Sequence, residues 1–383
     1  MALSAALAGG LLLALAARAD VLPYSATAAP EWTALFARTS GWTGADGVFS
    51  VALDGDDRIG SGAGGQTFIF FSDTFVGDVN ADGSRAAGTV MVNNTSATLA
   101  GNVADASQIA FHVRTTAAGK ARSMVVPTQP GTWFWPGDGV VQGGVVAMTA
   151  LRMKTGSGGT FNFAVDGTAF LTASASDPVP FAGKYKVIDA PALYAPATAR
   201  KGELTFGSAV MALTATAGAP QPDGYIYVYG VRNDAFDKKL LVARVPAGAF
   251  TRSTAYRYWD GTRWQAAIDR SAPLTDRMAS EFSVTPMPDG RFLLVHQLDA
   301  LGRTIVVRYG SSPVGPWSAP IPVWDCPEVG MTPNILVYGA KAHPHLSGPA
   351  ELLISYHVNS ASFAENLGNA DIYHPRFIHL PLN

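Results

Sequence analysis

Short apolar runs separated by turn residues constrain the fold of this chain more than any other feature of its sequence. Runs rich in Val, Ile, Phe, Tyr and Thr recur from VFSVAL (48–53) to RFIHL (376–380), with Gly, Asp and Pro between them. The chain contains 40 Gly and 25 Pro, which is typical of many tight turns. Because no long segment after residue 20 has the 3.6-residue period of an amphipathic helix, the pattern predicts an all-β protein.

The predicted strands also recur in pairs, which form a loose internal repeat. Each pair alone leaves an apolar face exposed, and packing the pairs around an axis buries it. Five pairs follow one another along the chain: VFSVAL with TFIFFSD, VVAMTALRM with FNFAVDG, FGSAVMAL with YIYVYGV, FSVTPM with FLLVHQL, and AKAHPHL with LLISYHV. We therefore predict a five-bladed β-propeller with a central-channel pocket, formed as a single domain over residues 20–383. A two-sheet sandwich is the alternative, although the chain is long for one sandwich.

The first 19 residues have the pattern of a secretory signal peptide. An apolar run ends at Ala17-Arg18-Ala19, a small-x-small site that a signal peptidase cuts, so the mature chain is predicted to start at Asp20. The run is short for a membrane-spanning helix. The sequence thus predicts a secreted or periplasmic protein with no membrane contact after cleavage.

Charge and cysteine content exclude several classes of function. The formal net charge is −2, which gives no basic surface for nucleic acid or an anionic membrane. The one cysteine, Cys326, cannot form an intramolecular disulfide, and Cys/His zinc spacing is absent. Loop 78–85 (DVNADGSR) resembles half of a calcium loop, but Thr89 stands where such a loop needs its bidentate Glu. We predict no cofactor and no metal, a monomer, and a loop whose Asp and Asn side chains cap their own turn.

Polar residues mark the starts of first strands and the ends of second strands in the predicted pairs. In a hairpin these two positions are neighbours, so all the marks are predicted to lie on one face, around the channel mouth. Asp73 ends the buried run FIFF, where a carboxylate is costly unless it is paired or hydrated. Asp46 and Asp138 are also plausible turn residues, and a buried histidine is more often a hydrogen-bonded wall residue than a catalyst.

The residues predicted at this mouth combine carboxylates, cations and aromatic rings, a set suited to glycoside cleavage. One carboxylic acid protonates the leaving oxygen, a second carboxylate acts on the anomeric carbon or on water, and flat apolar rings stack on sugars. The candidate catalytic residues are Asp46, Asp73 and Glu281. The candidate substrate-binding residues are Trp42, Asp138, Arg232, His296, Lys341, His343, Tyr356 and Asn359, with Phe49, Trp133 and Trp135 as further aromatic rings and Gln297, His345 and His357 as further polar groups.

Several segments resemble exported bacterial five-bladed propellers related to glycoside hydrolases. W-x-G-A-D-G-x-F-S (42–50), S-D-T-F-V-G (72–77) and N-N-T-S (93–96) are similar to the first blade of endo-D-arabinanase-like propellers and, more distantly, of arabinanase, invertase and levansucrase propellers. The resemblance implies that Asp46 is the base or nucleophile and that Asp73 is an acid or its partner. Two departures stand out: G-A-D-G replaces the invertase-type N-D-P, and FGSAV (206–210) lies where arabinanases have a glutamate. Glu281, one blade later, is the candidate substitute.

We therefore expect an exported glycoside hydrolase acting on a poly- or oligosaccharide, with furanose units among the candidate sugars. The alternative is a non-catalytic carbohydrate-binding propeller that uses the same pocket, and a third possibility is a structural propeller whose carboxylates scatter. Asp73, next to apolar walls, is expected to have a raised pKa and to donate the proton. Asp46, in a Gly-flanked and wetter turn, is expected to stay ionised.

Overall fold

The computed structural model describes residues 25–158, 162–234 and 237–382. The predicted signal peptide, residues 1–19, lies outside the described residues. Two short α-helices are present in the described part, α1 (Pro30–Phe36) and α2 (Phe363–Gly368). Single 3-10 turns span Ser61–Gly64, Pro191–Leu193, Ala247–Ala249, Ser253–Ala255, Ile268–Arg270, Pro327–Gly330 and Pro344–Leu346.

Strands make up most of the remaining regular structure, so the predicted all-β class is confirmed. The strands before residue 130 are β1 (Thr27–Ala28), β2 (Trp42–Ala45), β3 (Phe49–Ala52), β4 (Gln66–Phe71), β5 (Thr74–Val76), β6 (Val90–Val92), β7 (Thr95–Ala100), β8 (Ile109–His112), β9 (Arg114–Thr115) and β10 (Ala121–Arg122). The middle strands are β11 (Thr132–Gln142), β12 (Val145–Thr155), β13 (Phe163–Ser174), β14 (Lys186–Asp189), β15 (Tyr194–Ala195), β16 (Glu203–Leu213), β17 (Tyr225–Asp234), β18 (Asp237–Pro246), β19 (Arg257–Trp259) and β20 (Trp264–Gln265). The last strands are β21 (Phe282–Pro286), β22 (Phe292–Gln297), β23 (Thr304–Gly310), β24 (Ile321–Asp325), β25 (Ile335–Ala342), β26 (Glu351–Ser360) and β27 (Pro375–Pro381).

Five antiparallel sheets of four or more strands follow one another along the described chain. Their strand orders are β3-β4-β7-β8 (sheet 1), β11-β12-β13-β14 (sheet 2), β15-β16-β17-β18-β19-β20 (sheet 3), β21-β22-β23-β24 (sheet 4) and β1-β27-β26-β25 (sheet 5). Two smaller sheets, β2-β5-β6 and β9-β10, are formed by residues of the same part of the chain. Two predicted pairs are shifted. VVAMTALRM and FNFAVDG form the second and third strands of sheet 2, and β11 is its first. In the fifth pair, AKAHPHL (340–346) begins only at the end of β25, and its last residues form a 3-10 turn.

The inner strands β3, β11, β16, β21 and β25, one from each sheet, lie side by side in that order. Contacts join β3 to β11, β11 to β16, β16 to β21 and β21 to β25. Residues of all five strands line a cavity of about 50 Å³. A cavity of this size holds a few water molecules but no sugar ring.

The apolar runs of the inner half of each sheet are explained by burial on both faces. In β4, Phe68 and Phe70 pack into one core cluster, which sheet 1 shares with sheet 2. Ile69 and Phe71 face the opposite way, into a second cluster that contains α1 and β27. Because both faces are covered by neighbouring elements, the run has no polar alternation. Asp73 follows this buried run and is the first charged residue at the point where the chain leaves the core.

Bulges interrupt three of the inner strands where they pass the candidate site. The strand register shifts between Pro136 and Gly139 in β11, between Phe206 and Ala209 in β16, and between Tyr338 and Lys341 in β25. A bulge inserts an extra residue and re-aims the side chains beside it. In β25 the bulge contains Gly339 at φ +71, where an added Cβ would lie 3.0 Å from Glu281 Oε2.

Candidate active site

Asp46 and Asp73 lie opposite each other where the chain enters β3 and leaves β4. The amide of Asp46 donates to the carbonyl of Asp73 (3.3 Å), and the amide of Ser72 donates to the carbonyl of Asp46 (2.9 Å). Side chains directly opposite on one face of an antiparallel pair have Cβ atoms roughly 4.5–5.5 Å apart. The fold thus places the two carboxyl groups next to each other, as the strand-pair argument expected.

Two tyrosines hold one oxygen of the Asp46 carboxyl group. The hydroxyl of Tyr338 donates to Asp46 Oδ2 at 2.7 Å, and the hydroxyl of Tyr373 does so at 3.3 Å. Asn359 Nδ2 donates to the Tyr338 hydroxyl at 3.0 Å, which directs the tyrosine proton towards Asp46. Asp46 Oδ1 is buried and has no hydrogen-bond partner among the described residues.

Asp46 is partly buried and its Oδ1 is fully buried, so the structure does not give this residue the wetter turn that the sequence predicted. Burial, followed by the neighbouring charge of Asp73, raises the pKa of Asp46 well above its ordinary value, and the Tyr338 hydrogen bond opposes the rise only in part. The Gly-flanked turn is covered by β25 and by the segment that carries Tyr373. Burial and the charge of Asp73 thus both favour the protonated form of Asp46.

Asp73 is held by two nitrogen donors. Asn93 Nδ2 and Trp135 Nε1 each donate to Asp73 Oδ1 at 3.1 Å. Burial raises the pKa of Asp73, and these two hydrogen bonds lower it in part. The expected raised pKa of Asp73 has the right direction, and the pKa of Asp46 is raised as well.

Glu281 lies at the start of β21 and brings a third carboxyl group to the same place. Its charge contributes to the raised pKa of Asp46. Its Oε2 lies 3.9 Å from His357 Nε2, and no described residue forms a hydrogen bond with it. Burial raises the pKa of Glu281, while the Lys341 ammonium opposes the rise.

His357 and Lys341 provide the walls beside Glu281. His357 Nε2 accepts from the amide of Gly47 at 3.1 Å, so this nitrogen carries no proton. Burial lowers the pKa of His357 to about 3, and the neutral ring forms no ion pair with Glu281. Lys341 Nζ lies 3.2 Å from the centroid of the Phe49 ring, and burial lowers its pKa to about 8.

Asp138 and His343 each form two hydrogen bonds with other parts of the protein. Asp138 lines the cavity; its oxygens accept from the amides of Gly139 (2.9 Å) and Val210 (2.8 Å), and burial raises its pKa to about 6. His343 hydrogen bonds to Ser50 Oγ at 2.7 Å and to Ser355 Oγ at 2.8 Å. Both residues connect inner strands and are fully engaged by the protein.

Four residues predicted to bind substrate are committed elsewhere in the structure. Trp42 is buried among Phe36, Phe71 and Phe111, so it cannot stack on a sugar. His296 is buried, and Arg308 donates to its Nε2. Tyr356 is buried and donates to Glu328, and Arg232 forms an ion pair with Asp234 at 2.6 Å. The assignments of Trp42, His296 and Tyr356 are corrected, because strand ends marked by polar residues also contain side chains that bind their own sheet. The Arg232 side chain is 21% exposed beside its ion pair, and its assignment stays a prediction.

Tyr338 and Tyr373 are the site residues that sequence reasoning missed. Tyr338 lies just before the bulge in β25, next to the AKAHP segment that marked this strand. Tyr373 has φ +74, an uncommon conformation for a residue with a side chain, and it lies 327 positions from Asp46. No local pattern signals such a contact.

Loop 78–85 satisfies its own polar groups. Asp82 Oδ1 accepts from the amide (2.9 Å) and hydroxyl (2.6 Å) of Ser84, and Asn80 Nδ2 donates to Ser84 Oγ at 2.9 Å. No group of three or more His, Cys, Asp or Glu side chains in the described residues is arranged to hold a metal ion. Within the same residues, no helix has the length and apolarity needed to cross a bilayer.

Comparison with solved structures finds the same fold in a distant relative. A crystal structure of a presumed hydrolase from Bacteroides ovatus matches 92% of this chain and 89% of its own, with a TM-score of 0.70 and 19% identity. An exo-β-1,3-galactanase from Phanerochaete chrysosporium matches 89% of this chain and 61% of its own (TM-score 0.46, 11% identity). A GH43_1 enzyme from Xanthomonas citri in complex with xylose matches 93% and 94% (TM-score 0.41, 15% identity). No curated protein sequence matches the chain.

The fold and the site together define a class: an all-β protein of successive antiparallel sheets, with three carboxyl groups gathered beside the layer of inner strands. Within that class the chain belongs to the DUF5005 family, a domain of unknown function, whose model matches residues 30–381.

Proposed function

We propose that this protein is a glycoside hydrolase that cleaves glycosidic bonds of a poly- or oligosaccharide. We also propose that sheets 1–5 are the blades of a five-bladed β-propeller whose channel opens at the carboxyl cluster. The order of the inner strands and the cavity that all five line support this architecture. Structures with similar folds include a presumed hydrolase and glycoside hydrolases, in agreement with the proposed class. The main support for the proposal is the carboxyl cluster.

One observation carries the proposal: two carboxyl groups of the cluster each keep one oxygen unused by the protein. Asp46 Oδ1 and Glu281 Oε2 have no hydrogen-bond partner among the described residues. A buried oxygen without a partner is costly, and such sites are held for a ligand or a reaction. A sugar hydroxyl or a glycosidic oxygen is the kind of partner that each of these atoms lacks, and glycoside hydrolysis needs one acid and one carboxylate.

Protonation assigns the roles of the two carboxyl groups in the proposal. Burial and the charges of Asp73 and Glu281 raise the pKa of Asp46, while the Lys341 ammonium opposes the rise at Glu281, so the proposal gives the proton to Asp46. The two tyrosines donate to Oδ2, which leaves this proton on the unpartnered Oδ1. Asp46 then protonates the leaving oxygen as general acid. Glu281, next to the Lys341 ammonium, acts as the carboxylate on the anomeric carbon or on water. In this proposal Asp46 is the acid, whereas the sequence resemblance implied that it is the base or nucleophile.

Asp73 supports the pair rather than reacting itself. Its carboxylate accepts two hydrogen bonds and, when ionised, keeps the proton on Asp46 by like-charge repulsion. Lys341 and His357 lie beside Glu281, and the Lys341 ammonium favours its ionised form.

A glycan panel tests the proposed function. The parent protein is expected to release sugars from at least one glycan in a set that includes arabinans, galactans, xylans and arabinogalactans. Asp46→Asn and Glu281→Gln should each lower turnover by at least about 10²-fold while preserving the melting temperature. Asp82→Asn, which removes an exposed carboxylate in loop 78–85, is the matched control and should leave turnover unchanged.

Two further measurements separate the acid from the other carboxylate. Activity of Asp46→Asn should recover on aryl glycosides whose leaving groups need no protonation. Activity of Glu281→Gln should recover with added azide, which replaces a missing carboxylate. The reverse pattern would make Asp46 the base or nucleophile, and full activity in both variants would exclude this site.

A non-catalytic carbohydrate-binding propeller is the second candidate function. Partly exposed aromatic rings beside Asp73 favour it, because such rings bind sugars without any acid or base. Glycan binding by the parent with no turnover on any member of the panel would establish this alternative.

We also propose export to the periplasm or the medium as a monomer after cleavage at Asp20. The signal-like pattern of residues 1–19 supports this proposal. N-terminal sequencing of the protein recovered from the extracytoplasmic fraction should read Asp20 first, and retention of Met1 would contradict it.

A further inference from the structure

Three aromatic rings lie together on sheet 2, on the side of the carboxyl cluster. The Trp133 and Trp135 rings of β11 are 6.4 Å apart between centroids, with an angle of 70° between planes. The Phe163 ring, at the start of β13, is 4.6 Å from the Trp135 ring at 75°. We call Trp133, Trp135 and Phe163 the aromatic shelf.

The aromatic shelf is joined directly to the candidate active site. The indole N–H of Trp135 donates to Asp73 Oδ1 at 3.1 Å, so the position of this ring is fixed by the carboxyl cluster. A ring tied to the site in this way has lost most of its rotational freedom before any ligand arrives, which lowers the entropic cost of binding.

The shelf also has an open side. Phe163 is 40% exposed, and both tryptophans are only partly buried. The strands β12 and β13 pair as far as Thr155 and Phe163, one position past the pair of Thr132 and Lys154 at which β11 begins, so Phe163 lies at the end of sheet 2. Two near-perpendicular rings of this kind form a corner in which one apolar face can cover a flat ligand while the second ring contacts its edge.

We propose that the aromatic shelf is a sugar-binding subsite that extends the substrate site beyond Asp73. Resting on the proposed function, it implies that the substrate is a glycan chain of at least two sugar units, one at the carboxyl cluster and the next on the shelf. The occupant is a sugar because the shelf continues a site rich in carboxyl and amide groups, and a sugar ring offers an apolar C–H face and hydroxyls together.

Binding of glycans of increasing length tests the subsite separately from hydrolysis. Linear oligosaccharides of arabinose, xylose and galactose, from two to six units, are titrated against Asp46→Asn, which binds without consuming them. Phe163→Ala in that background should weaken binding of these chains by about 3- to 10-fold. The free monosaccharides, which occupy the carboxyl cluster alone, should bind Phe163→Ala and its background equally, and Phe163→Tyr should restore binding of the chains.

Phe363→Ala is the control for loss of an exposed aromatic ring, because Phe363 is 55% exposed and packs on Phe75 rather than on the shelf. It should leave binding at every length unchanged. Equal binding by Phe163→Ala and its background at all lengths would overturn the subsite even if the parent hydrolyses glycans. Length-dependent binding without hydrolysis would support the subsite and refute the hydrolase. Absence of binding throughout the series would overturn the subsite.

Discussion

The hydroxyl of Tyr338 controls how readily Asp46 loses its proton. Its hydrogen bond to Oδ2 favours the ionised carboxylate and lowers the pKa of Asp46 against the effects of burial and of Asp73. Tyr338→Phe removes that hydrogen bond, so the pKa of Asp46 should rise further. If protonated Asp46 is the acid, activity is lost as the pH rises through this pKa. The high-pH limb of kcat/KM should therefore move to higher pH in Tyr338→Phe.

Tyr356→Phe provides the matched control, because Tyr356 is also a buried tyrosine but donates to Glu328. Both variants lose a buried hydroxyl and should lose about 1 kcal/mol of stability, while only Tyr338→Phe should change the pH profile. A limb that moves to lower pH in Tyr338→Phe would contradict the assignment of Asp46 as the acid.

At the residue scale, the sequence identified charged groups better than their environment. Asp46, Asp73 and Glu281 could be singled out because each carboxyl group adjoins an apolar strand, where it needs a reason to be present. The burial of Asp46 could not be predicted, because it depends on Tyr338 and Tyr373 from the other end of the chain. Trp42 was misassigned because a tryptophan next to a carboxylate has the same local pattern whether it faces solvent or the core.

Asp138 connects two neighbouring sheets, and its protonation should affect their stability. Its Oδ2 accepts from Val210 in β16, and burial raises its pKa to about 6 from 3.8. A carboxyl group with a raised folded-state pKa stabilises the fold below its unfolded-state pKa, and this contribution is lost as the pH rises through about 6. The free energy of unfolding of the parent relative to Asp138→Asn should therefore fall by roughly 1–3 kcal/mol between pH 4 and 7.

Urea unfolding of both proteins at several pH values measures this difference. Asp138→Asn also loses one of two backbone hydrogen bonds, but that cost does not vary with pH. Asp105→Asn is the control, because Asp105 is exposed and its pKa is lowered by Ser107. A difference that rises with pH for Asp138→Asn would show that the folded state holds this carboxylate ionised.

Loop 78–85 should be independent of calcium. The Asp82 oxygen that a calcium ion would need already accepts from the amide and hydroxyl of Ser84. Chelator should leave the melting temperature unchanged, and Ser84→Ala should lower stability by about 0.5–1 kcal/mol through loss of the turn hydrogen bonds. A decrease of several degrees with chelator, reversed by calcium, would contradict this.

At the element scale, strands were predictable wherever both faces are buried. FIFF and YIYVYGV form strands because neighbouring sheets cover them on either side, and the turn residues between them mark their ends. The first strand of sheet 2 was harder to place, because β11 (TWFWPGDGVVQ) contains Pro136 and a bulge and has no continuous apolar run. Bulges depend on pairing with a distant strand, so single-strand patterns do not predict them.

At the scale of the whole molecule, the order of the sheets follows the sequence repeat, but the closure of the molecule does not. Strand β1 pairs with β27, and the amide of Ala29 donates to the carbonyl of Phe377 at 2.9 Å. Residues from both ends of the described chain thus complete sheet 5. The sequence near residues 27–36 has no strand or helix pattern long enough to show this, because its structure depends on the last strand.

The contact between the two ends should determine the stability of the entire fold. Trp32 in α1 is 4% exposed, and its ring lies 6.1 Å from that of Phe377 in β27. Trp32→Ala removes a large buried ring and should cost about 3–5 kcal/mol, mostly because the remaining cavity cannot collapse.

If the five sheets form the closed ring proposed above, opening it at sheet 5 exposes inner strands on both sides. Thermal unfolding of Trp32→Ala should then remain a single transition, roughly 4–7 °C below that of the parent. Leu301→Ala, at a residue 48% exposed in the β22–β23 connection, is the control and should change the melting temperature by less than about 2 °C. A separate early transition in Trp32→Ala, with the main one unmoved, would mean that the terminal contact is peripheral and does not close the fold.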